Sequence, residues 1–115
     1  MTLNGLSVII PAHNEALNIK YVAEEINKNF KRLNIPWECI WIDDGSHDNT
    51  WAEIVKLSSK HRGIKLSSNF GQSTAMMAGI DFAKFSHIAT LDSDLQNDSN
   101  DLVKMVNILQ SQKTI

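Results

Sequence analysis

Four short apolar runs alternate with four longer helical patterns in this chain, and this alternation limits what it can fold into. Strand patterns, rich in β-branched and apolar residues, occupy residues 6–10, 37–42, 64–66 and 87–91. Apolar residues at helical spacing predict helices over residues 19–33, about 50–59, about 73–85, and from 99 onward. Strands separated by helices run parallel in one sheet. We therefore expect an α/β fold: a mostly parallel sheet with flanking helices.

Local signals set the expected ends of these elements. Pro11 should end the first strand, because proline has no N–H to give to a sheet. Asn18 is a candidate N-cap for the first helix. Small residues in the third helix, Gly79 among them, predict close packing against the sheet.

A polar loop follows each predicted strand. These loops are residues 11–15, 43–46, 68–72 and 92–96, and three of them carry carboxylates. Ligands of open parallel sheets bind beyond the carboxyl ends of the strands. Turn-forming preferences explain each loop separately, but the four together indicate a ligand site on one rim.

The fourth loop carries the most informative pair, Asp92 and Asp94. In an extended backbone, residues two apart project to the same side. Two hard oxygen ligands suit Mg²⁺ or Mn²⁺, and such an ion would take its other ligands from water and a diphosphate. The alternative is an ordinary polar turn after a strand.

A metal at this pair would let acidic loops accept a diphosphate. Asp43 or Asp44 could then accept hydrogen bonds from a base or ribose, and amides near Ser73 could assist anion binding. The chain has neither a lysine-bearing phosphate loop nor a G-x-G-x-x-G motif, which disfavours ATP hydrolysis and dinucleotide binding.

Composition narrows the partners and the compartment. The 115 residues amount to one domain at most, with a formal net charge of −2 and no block of Lys or Arg that would support nucleic-acid binding. Cys39 is the single cysteine and fits a reducing compartment as an unreactive buried thiol. No apolar run is long enough to span a bilayer, and no signal-peptide pattern is present. We expect a cytoplasmic protein.

Four segments, taken in order, resemble the family-two inverting glycosyltransferases of the type-A fold. They are residues 8–15 (VIIPAHNE), 42–50 (IDDGSHDNT), 69–72 (NFGQ) and 91–96 (LDSDLQ). The resemblance is greatest to the polyprenyl-phosphate branch, which includes dolichol-phosphate mannose synthase and the bacterial undecaprenyl-phosphate sugar transferases. It extends over nearly the whole chain.

The resemblance implies a Rossmann-like nucleotide-binding half and assigns roles to individual residues. In the nucleotide pocket it places Pro11, His13, Glu15, Ile42, Asp43, Asp44, Asp92, Ser93, Asp94 and Gln96. Asp92 and Asp94 would hold the metal, Ile42 and the two following aspartates would contact base and ribose, and Gln96 would lie near the sugar phosphate. The remaining histidines, His47, His61 and His87, are expected on the surface.

The implied reaction transfers a sugar, with inversion, from a UDP- or GDP-linked donor. The acceptor would be a polyprenyl phosphate or a glycan, reached at the inner face of a membrane in a full-length form. Ser68 stands where these enzymes often have arginine, and Asp-Ser-Asp replaces the usual Asp-Ala-Asp. Because family members continue well beyond 115 residues, residues 1–115 are expected to be the nucleotide-sugar-binding part of a larger domain.

Three other hypotheses remain at this point. A catalytically incomplete domain would bind nucleotide and metal without turnover. A phosphoryl-transfer or receiver-type α/β domain would become phosphorylated on an aspartate. A chain with an exposed sheet edge would pair with another copy and form a homo-oligomer.

Overall fold

A computed structural model describes residues 4–94 and 99–111, so the predicted site residue Gln96 lies outside the described residues. The elements, in chain order, are β1 (Leu6–Ala12), α1 (Ala16–Phe30), β2 (Trp37–Asp43), α2 (Thr50–Val55), β3 (His61–Lys65), α3 (Gln72–Asp81), β4 (Ile88–Thr90) and α4 (Ser99–Ser111). Among these described residues, no helix combines the length and apolar character needed to cross a bilayer.

The strands form one sheet in the order β3-β2-β1-β4, and all three neighbouring pairs are parallel. This arrangement confirms the α/β class predicted from the alternating pattern. β1 and β2 are buried almost throughout because helices cover both faces of the sheet.

The two faces of the sheet are covered unequally. On one face α1, α2 and α4 pack over a large core that includes Val8, Ile10 and Trp41. On the other face α3 packs over a smaller core. A Cβ atom at Gly79 of α3 would come within 2.6 Å of the Ile9 side chain. The close packing predicted for the third helix is therefore confirmed, and it requires a glycine at position 79 because a larger residue would contact Ile9.

The prediction that Pro11 ends the first strand is wrong. β1 continues to Ala12, and Pro11 pairs with Ile42 of β2 in the register. Alternate residues of β1 bond to β4, as Ser7 N and Ile9 O do, so the nitrogen of Pro11 faces that side. The paired register with β4 ends at Thr90, opposite Ile9, so Pro11 lies beyond the last residue of β1 that pairs with β4.

The helices also differ from their expected bounds. α1 begins at Ala16, before the expected cap Asn18, whose side-chain amide instead donates to the Glu15 carboxylate at 2.8 Å. α2 ends at Val55 and α3 at Asp81, earlier than predicted. After each of them the chain tightens into i→i+3 bonds, such as Leu57 N to Ile54 O, that close the helix.

His61 is buried at the start of β3, so its expected surface position is wrong. Trp41 Nε1 donates to its Nδ1 at 2.9 Å, and its Nε2 lies 2.8 Å from Asn27 Oδ1. An amide oxygen only accepts, so Nε2 carries the proton and the ring is a neutral bridge between β2 and α1. Burial lowers the pKa of His61 to about 4.

Candidate functional site

The carboxyl ends of β1, β2 and β4 surround an open cleft of about 350 Å³, which we call the carboxyl-end cleft. Its lining residues are Pro11, Ala12, His13, Glu15, Asp44, Gln72, Asp92, Ser93 and Asp94. Seven of the ten predicted site residues are in this set: Pro11, His13, Glu15, Asp44, Asp92, Ser93 and Asp94. The sheet brings together segments up to about eighty positions apart because parallel strands end on the same side.

Two of the predicted residues lie beside this cleft rather than in its wall. The Ile42 side chain is fully buried in the smaller core under α3. Asp43 is 1% exposed, and its Oδ1 accepts the Ser46 amide at 3.0 Å. The direct role of Asp43 in this structure is to hold the turn that presents Asp44.

Asp44 joins the loop after β2 to the loop after β3. Its two carboxylate oxygens accept the amides of Phe70 and Gly71, at 2.8 and 3.1 Å. Gly45 follows with φ +67°, and a Cβ there would lie 2.3 Å from the backbone of Ser68 and Asn69. A glycine is required for these two loops to approach so closely.

His13 connects three of the loops. Its Nδ1 lies 2.8 Å from the carbonyl oxygen of Asp44, which only accepts, so Nδ1 carries the proton. The side-chain amides of Asn14 and Asn69 both lie 3.3 Å from Nε2, the acceptor nitrogen of this tautomer. The imidazole therefore fixes the relative positions of the loops after β1, β2 and β3 at the wall of the cleft.

The loops after β1 and β2 are bound to each other through further contacts. Asn14, with φ +54°, donates its backbone N–H to Ser46 Oγ and accepts the His47 amide on its side-chain oxygen, both at 2.9 Å. The Thr50 hydroxyl accepts the Glu15 amide at 2.9 Å and donates to the Asp48 carboxylate. These bonds occupy the two amides that precede α1, those of Asn14 and Glu15, and fix Glu15 at the cleft edge.

The Asp48 carboxylate stays ionised more readily than usual. Its small burial raises its pKa, but hydrogen bonds from the Thr50 hydroxyl, the Thr50 amide and the Ala16 amide outweigh this and lower it. The charge of Asp48 therefore supports the amino end of α1, where a carboxylate interacts favourably with the helix dipole.

Asp92 and Asp94 follow β4, and the buried Ser93 lies between them. Both carboxylates line the cleft with Glu15 and Asp44, so the wall is strongly acidic. Among residues 4–94 and 99–111, no group of three or more His, Cys, Asp or Glu side chains is arranged to hold a metal. Two carboxylates from one loop suit an ion such as Mg²⁺, which keeps water and phosphate oxygens as its other ligands.

Two residues of the wall, Ala12 and Gln72, were not among the predicted site residues. Both belong to loops predicted from the sequence, Ala12 to residues 11–15 and Gln72 to residues 68–72. Gln72 is also the first residue of α3, which places the start of that helix at the cleft. Position at a strand end was the signal that could have identified both.

Comparison with known proteins agrees with this architecture. The family model described as glycosyl transferase family 2 matches residues 7–115. The dodecaprenyl-phosphate galacturonate synthase of Rhizobium johnstonii is 38% identical over 109 residues, which are 91% of this chain and 32% of that protein. The undecaprenyl-phosphate 4-deoxy-4-formamido-L-arabinose transferase of Aeromonas hydrophila is 36% identical over 106 residues, 88% of this chain and 32% of that protein. The chain thus spans about a third of the length of these relatives.

Solved structures share the fold at low identity. The mannosyltransferase PcManGT of Pyrobaculum calidifontis, in complex with GDP-Man and Mn²⁺, aligns over 96% of this chain and 33% of its own, with a TM-score of 0.72 and 22% identity. Glucosyl-3-phosphoglycerate synthase of Mycobacterium tuberculosis was solved with Mn²⁺, UDP and glucosyl-3-phosphoglycerate. It aligns over 96% of this chain and 41% of its own, with a TM-score of 0.75 and 21% identity. Both are type-A glycosyltransferases, which confirms the predicted fold. The chain belongs to glycosyl transferase family 2.

Proposed function

We propose that residues 1–115 form the nucleotide-sugar-binding part of an inverting glycosyltransferase. The donor is a UDP- or GDP-linked sugar, and the acceptor is a polyprenyl phosphate. The observation that carries this proposal is the carboxyl-end cleft, where seven residues assigned by the family resemblance come together from three loops. The named activities of the two curated relatives support the choice of acceptor.

Asp92 and Asp94 are proposed to hold Mg²⁺ or Mn²⁺. When bound, the ion would neutralise the diphosphate and stabilise the charge of the departing nucleotide. Without a cation, a wall with four carboxylates would repel a diphosphate. The start of α3 at Gln72 gives the same wall a helix amino end, which favours an anion.

Asp44 and His13 are proposed to support the nucleoside side of the site. The Asp44 carboxylate already accepts two amides but has lone pairs left for a ribose hydroxyl or a base N–H. The His13 ring keeps Asp44 and Asn69 at fixed separation, so the pocket is shaped before the ligand arrives. Asp43 and Ile42 would then support the nucleoside side of the pocket from buried positions next to the cleft, and Gln96 would contact the sugar phosphate.

A phosphate acceptor is consistent with the side chains present. A sugar hydroxyl would need a general base to take its proton, whereas a phosphate is already largely ionised at neutral pH. Because a polyprenyl chain lies in the bilayer, we expect the full-length enzyme to act at the inner face of a membrane. A divalent ion and a preformed acidic cleft are then the main requirements on the donor side.

The test is calorimetric titration with UDP and with GDP, in Mn²⁺ and in chelator. We expect binding of one of the two nucleotides that depends on Mn²⁺ and is lost in the Asp92→Ala, Asp94→Ala double variant. The His47→Gln variant, changed at an exposed loop residue, is the matched control and should bind normally. Nucleotide binding that persists both in chelator and in the double variant would contradict the proposal. The absence of binding to the folded chain would also contradict it.

A further inference from the structure

A second cleft, of about 530 Å³, opens at the opposite, amino end of the sheet. It lies between the starts of β2 and β3 and the segment after α3. The residues that give it its character are three cations and three aromatic rings, Lys60, Arg62, Lys84, Trp37, Phe82 and Phe85. We call this set the basic cleft.

Glu38 is the one carboxylate among the described residues that line the basic cleft, and all of its contacts are made within the protein. It accepts the Ser7 hydroxyl at 2.7 Å and the Lys84 amide at 2.6 Å, and it forms an ion pair with Arg62 at 2.8 Å. Burial raises the pKa of Glu38, but these donors outweigh it and keep the pKa below its usual value. Glu38 therefore balances Arg62 and forms no ion pair with the side chain of either lysine.

The lysines are held over aromatic rings. Lys60 Nζ lies 4.9 Å from the centre of the Trp37 ring, and Lys84 Nζ lies 5.7 Å from the centre of the Phe85 ring. Neither amine pairs with a carboxylate among residues 4–94 and 99–111. Cation–π contacts orient an amine but leave its charge unneutralised.

Cations also gather at the carboxyl ends of helices for purely structural reasons. Arg62 fits this explanation, because it donates to the Phe82 carbonyl at 2.7 Å just beyond α3. The amines of Lys60 and Lys84 instead lie over aromatic rings, and among the described residues neither donates a hydrogen bond to a helix carbonyl. Two uncompensated cations beside exposed aromatic surface, in a chain of net charge −2, form a local site of opposite sign.

We propose that the basic cleft binds a phosphate-bearing ligand, with the phosphate between Lys60, Lys84 and the exposed side of Arg62. The aromatic rings would contact an apolar part of the ligand. A soluble phosphate ester and a lipid headgroup offer the same chemistry at this site. The proposal is independent of the nucleotide site, because the two clefts lie at opposite ends of the sheet.

The first experiment is calorimetric titration with inorganic pyrophosphate in EDTA. Chelation removes any metal-bridged binding at the carboxyl-end cleft, so only the basic cleft should respond. We expect Lys60→Gln with Lys84→Gln to weaken binding about tenfold. Lys20→Gln with Lys28→Gln makes the same change in charge on the exposed face of α1 and should leave binding unchanged.

The Asp92→Asn, Asp94→Asn variant should keep its pyrophosphate affinity in EDTA, whatever happens to its nucleotide binding. This separates failure of the present proposal from failure of the proposed function. Co-sedimentation with phosphatidylglycerol and phosphatidylcholine vesicles then identifies the source of the phosphate. If the chain binds the anionic vesicles and the Lys60→Gln, Lys84→Gln variant does not, the ligand is a lipid headgroup. If the chain binds pyrophosphate but not the vesicles, the ligand is a soluble ester.

Two results would overturn the proposal. One is that the unmodified chain binds neither pyrophosphate nor anionic vesicles. The other is that both lysine pairs weaken binding equally, since this would mean that total charge rather than the cleft attracts the anion.

Discussion

The acids at the two ends of the sheet differ in burial and in hydrogen bonding. At the amino end, Glu38 is enclosed and every contact that its carboxylate makes is to a donor of the protein itself. At the carboxyl end, Asp92 is exposed at the wall of an open cleft. An acid whose hydrogen bonds are all made within the protein supports the fold, whereas an acid that faces a cleft is available to a ligand.

Asp44 lies between these two cases. It is only 4% exposed and holds two amides of the loop after β3, yet it also lines the carboxyl-end cleft. The same carboxylate therefore shapes the pocket and forms part of its surface. We expect the effects of substitutions at the carboxyl end to divide between stability and binding according to this distinction.

The largest effect is expected at Gly45, where the backbone of another loop occupies the space of a Cβ. Gly45→Ala should lower the free energy of unfolding by more than about 3 kcal/mol, because a clash with backbone cannot be relieved by a rotamer change. Gly71→Ala is the comparison: its φ of +98° and ψ of 162° suit glycine almost exclusively, but nothing lies within 4 Å, so backbone strain alone should cost about 2 kcal/mol. Denaturant unfolding of both variants measures the difference, and equal losses would contradict the close approach of the loops.

The next effect is a dependence on pH that arises at the amino end. The pKa of His61 is about 4 in the folded chain against an ordinary 6.5, so below pH 6.5 the unfolded chain binds a proton that the folded chain does not. Stability should therefore fall as the pH drops from 6.5 to 4, by about 3 kcal/mol from this group. Urea unfolding at several pH values should show this slope in the native sequence and in His47→Gln, but not in His61→Gln. A slope that His61→Gln retains would assign it to another group.

A smaller effect should distinguish the two kinds of acid directly. Glu38→Gln replaces a carboxylate that meets only donors with an amide that must turn its NH₂ toward one of them. It should cost about 2 kcal/mol of stability and leave nucleotide binding intact. Asp92→Asn should do the reverse, with unchanged stability and loss of Mn²⁺-dependent binding. Thermal unfolding and calorimetry on both variants test the pair, and a stability loss in Asp92→Asn would show that this acid is structural.

The smallest expected effect is at Asn14, whose φ of +54° lies in the left-handed region. Asn14→Gly removes the strain but also the side-chain bond to the His47 amide, so its net effect should stay within about 1 kcal/mol. Asn14→Ala loses the bond and keeps the strain, and should be about 1 kcal/mol less stable than the glycine variant. The reverse order in denaturant unfolding would mean that the backbone strain is unimportant.

Much of the fold could be predicted because it depends on local patterns. The alternation of β-branched runs with amphipathic segments is sufficient to give a parallel sheet, and parallel order places polar loops on one rim. The positions of Pro11 and His61 could not be predicted in this way. Pro11 is accepted in β1 because the neighbouring strand ends early, and His61 is buried because Trp41 and Asn27 bond both of its nitrogens.

The same limit applies to the candidate site. Strand ends and family resemblance identified most of the cleft residues, but the division of labour between Asp43 and Asp44 depends on loop contacts. Asp43 accepts the Ser46 amide and is buried away from the cleft. Asp44 accepts amides 26 and 27 residues away and lines the carboxyl-end cleft. Bonds across such separations depend on how the loops pack, and a single sequence does not encode them in any local pattern.

The most direct test of the central claim is hydrogen–deuterium exchange with and without nucleotide and Mn²⁺. The account predicts slower amide exchange, on adding UDP or GDP with Mn²⁺, in residues 12–15, 44–47, 69–73 and 92–94. In the Lys60→Gln, Lys84→Gln variant, whose basic cleft no longer attracts the nucleotide phosphates, exchange at the amino end, in residues 36–38, 59–62 and 82–85, should stay unchanged. Unchanged exchange in all four carboxyl-end segments, or slower exchange confined to the amino end, would contradict a nucleotide site at the carboxyl ends of the strands.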